Sequence, residues 1–206
     1  MGRVAVGVPT PLLRSFRTLA AGTQASSLAE FAISLPLLMV LVVGIFDFGA
    51  AFNTKQELNN AMREGARFGA SLPPNDLSNA TAWPTIDAIR YLVDSYLVAS
   101  RIDDCGLGTP LTPNHPAGTS QWVYTTPCFG STNLTLTINR GFPTCNLLMA
   151  SYGTPPLTNA YIPCTQVSIQ YPYQWHFNSV ITLIVPGASY GPFITIQTDA
   201  TATNVE

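Results

Sequence analysis

Between Phe31 and Phe52 the chain reads FAISLPLLMVLVVGIFDFGAAF, 22 residues with a single charge, Asp47. As an α-helix rising 1.5 Å per residue, this run reaches about 33 Å, enough to cross a hydrocarbon core of roughly 30 Å. A helix that covers the core of a soluble domain keeps a polar face, and this run has none. It reads as a membrane span. Arg3, Arg14 and Arg17 precede it with no acidic residue before Glu30, which places the N-terminus in the cytoplasm and the remainder across the membrane. The competing reading is a secretory signal peptide. Its apolar region would be only about 7–15 residues long and would end in a small-residue cleavage site.

The helical pattern does not stop at the membrane. From Asn53 to Ser71 there is no proline, and Leu58, Ala61, Met62, Gly65, Ala66 and Gly69 recur at helical spacing until Pro73 and Pro74. One helix over roughly 28–70 is expected, half in lipid and half packed on a head. Gly65 and Gly69 are expected to seat it there. A second helix is predicted over 84–99, with Pro84 in its first turn and Ile86, Ile89, Val93, Tyr96 and Leu97 on one face. After Asp104 the period changes to two. Strands are predicted at 121–126, 134–138, 167–171, 180–185 and 193–199, separated by proline and glycine. The fold class is therefore α+β, two helices on an antiparallel sheet. Its parts are a basic leader (1–25), the transmembrane half of the long helix (26–52), the helical part of the head (53–104) and a β-rich head (105–206).

Charge is distributed unevenly. Eight basic and nine acidic residues lie up to Asp104, and only Arg140, Asp199 and Glu206 follow. A net charge of −2 leaves no basic surface for a nucleic-acid backbone, so no nucleic-acid partner is expected. All four cysteines, Cys105, Cys128, Cys145 and Cys164, fall in the neutral half without a C-x-x-C pair. That pattern points to disulfides in an oxidising compartment and not to zinc. Of three possible pairings, the sequential one, Cys105 with Cys128 and Cys145 with Cys164, closes the shortest loops. No nucleophile–base arrangement and no phosphate loop is present, so neither catalysis, a cofactor nor a metal is expected. His176 reads as structural and Asp103-Asp104 as a solvated loop, with a calcium contact as the alternative. The sequons at Asn79 and Asn133 are the chance matches of an Asn/Thr-rich chain. Asp47 would be costly at membrane depth, and it falls at the outer boundary if 31–46 is the embedded part. The nearly uncharged face of 105–206, with Thr135 and Thr137, is expected to suit contact with other subunits or an external surface, because little ionic solvation is lost on covering it; the alternative is an extracellular composition bias alone.

The segment LAEFAISLPLLMVLVVGIFDFGAAF, followed by ELNNAMREGARFGA, resembles the TadE-like family of tight-adherence (Tad) pilus systems. The residues that carry the resemblance are Glu30-Phe31-Ala32, Pro36, Gly44, Asp47-Phe48-Gly49, Asn60-Ala61 and Glu64-Gly65-Ala66-Arg67. It implies a pilin-like fold and a minor pilin or pseudopilin role in a type IVb pilus, non-catalytic, in the bacterial inner membrane with an exported head. It also implies partners: other pilus subunits, a prepilin peptidase, an inner-membrane assembly platform and membrane lipid. Cleavage would fall between Ala25, where the family usually has Gly, and Ser26. Glu30 would then be fifth in the mature chain and would pair with a neighbouring subunit's amine, with Phe31, Pro36 and Asp47 as further assembly positions. The alternative is a permanently anchored periplasmic binding or scaffold domain.

Overall fold

The computed structural model describes residues 23–78, 81–130, 132–141, 146–148, 161–177, 191 and 193–204. Helix α1 runs from Thr23 to Ser71, 49 residues, starting five residues before the expected 28. It passes through Pro36 and ends where Leu72 precedes Pro73, a position that disfavours further α geometry. Helix α2, Pro84–Ala99, matches its predicted span. The strands are β1 (Gln121–Pro127), β2 (Asn133–Arg140), β3 (Asn146–Leu148), β4 (Tyr161–Gln174) and β5 (Phe193–Thr203). The strand expected at 180–185 lies outside the described residues.

All pairings are antiparallel, in the order β1-β2-β4-β5, with short β3 on the first three residues of β4. The period-two pattern sets the register. Trp122 faces Ile138, Leu136 faces Ile169 and Tyr171 faces Ile196, so one face of the sheet is apolar. The two helices lie on that face. Leu58, Ala61, Met62 and Ala66 of α1 and Ile86, Ile89, Val93 and Leu97 of α2 close over Trp122, Leu136, Ile138, Val167 and Ile169. Tyr96, expected on the buried face of α2, is instead 37% exposed, and Arg90 is buried there. Its guanidinium donates to the carbonyls of Leu107 and Thr109 and to Asp87, whose carboxylate also accepts the Tyr124 hydroxyl at 2.9 Å.

Cys105 and Cys128 are disulfide-bonded, as the sequential pairing expects. Cys164 is also disulfide-bonded, and Cys145, its expected partner, lies outside the described residues. A loop of 23 residues closed by the first bond is worth about 3 kcal/mol on the chain-entropy estimate.

Gly65 and Gly69 seat α1 on the head. A Cβ at Gly65 would meet Val93 at 3.0 Å, and one at Gly69 would meet Thr165 at 2.6 Å and Ile89 at 2.7 Å. Gly44, lower on the helix, has nothing within 4 Å. Gly69→Val should therefore lower stability by roughly 1–3 kcal/mol through overpacking, whereas Gly44→Val should leave the head unchanged. Urea unfolding in detergent, followed by the fluorescence of buried Trp122, checks both.

Candidate functional site at the helix–head junction

Helix α1 changes environment once along its length. From Leu28 to Phe46 its residues are exposed or at most partly covered, and the large apolar ones among them, such as Phe31 (63%), Leu37 (74%) and Phe46 (66%), are open. No residue of the apolar window of this candidate span is buried by the chain itself. Asp47 is the first buried side chain, at 4% exposure. Above it one side of α1, from Ala50 and Ala51 on, packs against the head, while Phe48 and Phe52 stay exposed.

Asp47 is held by the end of β4. Its two carboxylate oxygens accept the backbone N–H groups of His176 at 3.1 Å and Phe177 at 3.3 Å. The His176 ring lies 3.5 Å away, and its Nδ1 is 3.1 Å from the Tyr173 hydroxyl. Burial raises the Tyr173 phenol pKa, and the Asp47 charge raises it further. Next to Asp47, Phe48 meets Trp175 edge-on at 5.4 Å, and Trp175 meets Tyr173 at 5.6 Å. The carboxylate therefore answers two main-chain donors at a chain turn that has left its sheet partner. The structural role expected of His176 rests on its backbone, since its side chain is 64% exposed.

The expected assembly residues divide into two groups. Ala25 and Ser26 lie in the opening turns of α1, while Phe31 is on its exposed stretch. Glu30 is exposed, and its backbone carbonyl accepts the Ser34 hydroxyl at 2.8 Å. Pro36 sits inside the helix, where its missing N–H leaves the Ala32 carbonyl without the usual donor. Glu30 and Asp47 are 17 residues apart, about 25 Å along the axis. Asp47 thus turns inward to its own head, and the stretch around Glu30 faces outward.

The far end of the head carries a second tie absent from the sequence reading. Arg140, fully buried at the end of β2, donates to the Thr85 hydroxyl at 2.8 Å and to the Leu72 carbonyl. Thr85 is in turn held by Asp76 at 2.8 Å. Burial lowers the Arg140 pKa, with Asp76 acting in the opposite sense. Asp103 accepts the Cys105 N–H at 2.9 Å, so it shapes its loop. Among the described residues no three His, Cys, Asp or Glu side chains gather as a metal site.

Residues 25–67 match the family model described as TadE-like protein. The match covers the exposed stretch of α1, Asp47 and the first part of the packed stretch. No curated protein and no solved structure matches the chain.

Removing the Asp47 carboxylate should strand two N–H donors. Asp47→Ala is expected to cost about 1–3 kcal/mol, read as a lower unfolding midpoint and faster proteolysis at 174–177. Asp47→Asn, which keeps one acceptor oxygen, should recover about half of that loss.

Proposed function

We propose that this chain, TadE-like over residues 25–67, is a minor pilin or pseudopilin subunit of a Tad-type (type IVb) pilus that acts by assembly, without catalysis. The observation that carries the reading is the exposed stretch of α1. A stretch of apolar helix that the described residues leave open, with an acidic residue near its start, is suited first to lipid and then to the helices of other subunits. It would hold the protein in the inner membrane, N-terminus in the cytoplasm and head exported, until an assembly platform moves it into a filament.

Processing by a prepilin peptidase between Ala25 and Ser26 would put a new amine one helical turn below Glu30. A carboxylate in hydrocarbon is stabilised by an opposite charge, and the amine of an adjacent subunit would supply one to Glu30. The outer sheet face suits lateral contact. Thr135 and Thr137 point there between β1 and β4, and Asn139 donates to Gln166 at 3.0 Å. Such amide and hydroxyl groups exchange water for subunit hydrogen bonds at little net change.

Mass spectrometry of the mature N-terminus separates this reading from that of a permanently anchored periplasmic scaffold. A free amine at Ser26 is expected, and an intact leader supports the scaffold. Glu30→Ala should insert normally yet incorporate at least about 100-fold less, because breaking a buried pair costs roughly 3–5 kcal/mol. Normal incorporation of that variant would refute the pairing.

A further inference from the structure

We infer that the membrane-facing end of the head is itself a lipid-contact surface: Trp175, Phe177 and Ile194, with Phe48 and Phe52 of α1, rest in the interfacial layer of the bilayer. The inference requires that α1 spans the membrane, and it is independent of filament assembly.

The geometry leaves no room for a stalk. From Leu28 to Phe46 is 19 residues, about 28 Å of helix, against a hydrocarbon core of roughly 30 Å. The next residue, Asp47, is already bound to the head. Helix α1 and β4 run in opposite directions side by side, with Gly69 beside Thr165, Gly65 beside Val167 and Asp47 beside His176. The C-terminal end of β4 therefore lies level with the upper membrane boundary. So does the start of β5, because Gln174 pairs with Phe193.

That end of the head has the composition of an interfacial belt. Phe48 is 65% exposed, Phe52 63%, Ile194 45% and Phe177 37%, and Trp175 is half-buried against Phe48. A cavity of about 580 Å³ opens between the helix and β5, walled by Phe48, Phe52, Trp175, Ile194 and Ile196, with Lys55 at its side. Apolar surface of this kind, continuous with a span and carrying an indole, matches the acyl–headgroup boundary, where aromatic rings collect. Lys55 can lay its stem on the apolar wall and keep its ammonium among headgroups. At the opposite end of the head a wider cavity opens beside Leu72, Pro73, Pro74 and Leu77, but among the described residues no aromatic ring lines it and no large apolar side chain there is as exposed as Phe48 or Phe52. At the lower end Lys55 and Arg101 are met by Glu57 and Asp103, with the buried Asp47 carboxylate in addition, so the end carries no net positive charge. Contact should therefore not require anionic lipid.

The test uses the full chain in phosphatidylcholine vesicles, with flotation verifying that it is inserted. Lipids brominated near the headgroup should quench tryptophan emission, and lipids brominated near the chain end should quench it less. Trp83 and Trp122 adjoin each other at the far end of the head, so Trp175→Phe should abolish the quenching while leaving their emission unchanged. Adding phosphatidylglycerol should change nothing. Inserted protein with no quenching, or with quenching deeper than shallow, overturns the inference. So does emission of Trp175 that responds to protein density and not to bromine, which would mean that a second copy covers the surface. Failure to float would refute the membrane span itself.

Discussion

A single helix in two environments is the constraint on which the rest of this molecule depends. Helix α1 is apolar and open below Asp47, a candidate membrane span, and meets a packed core above it. Burial begins at Asp47 on one side of the helix, while Phe48 and Phe52 on the other side stay exposed and the next fully buried side chain is Leu58. Every other element is arranged along the upper part. Helix α2 packs beside it, β4 runs back down its length, and β5 returns upward. The carboxylate at the change of environment accepts two amides from the descending chain, so helix and head meet through a fixed contact. In the proposed role, this would let a pull on the helix act on the head as one body.

The scarcity of charge after Asp104 follows from what these residues do. Arg140, the only cation there, is buried as a bracket between the end of α1 and the start of α2. The outer sheet face is instead knit by side-chain amides, Asn139 to Gln166 and Gln166 to Asp199 at 3.3 Å. A surface built this way can be covered by another protein surface without stripping water from ions, a cost of several kcal/mol each.

Both helices and the alternation of the head were legible because length, proline punctuation and apolar period are local signals. Pro84 and the face Ile86, Ile89, Val93 and Leu97 define α2 from the sequence. Strand β4 was underestimated, at 167–171 instead of 161–174, because Pro163 and Pro172 read as breakers. Each lies where β4 has one paired neighbour, Pro163 on β3 and Pro172 on β5, so a missing N–H breaks no second ladder. Tyr96 was misplaced because an aromatic at the margin of the apolar stripe can turn its hydroxyl to water. The place of Arg90 in the core depends on carbonyls 17 and 19 residues away. The Asp47 contact was not legible at all. Its partners are main-chain donors 129 and 130 residues distant, and a backbone N–H leaves no signature in the sequence.

The most direct test of this arrangement is amide hydrogen exchange of the full-length chain in phospholipid nanodiscs. Rigid continuity requires that amides from Gly44 through Leu58 exchange slowly, without a break, and open together with β4 as one cooperative unit. A fast-exchanging gap between Phe48 and Thr54 would show a hinge at the membrane boundary and contradict the account.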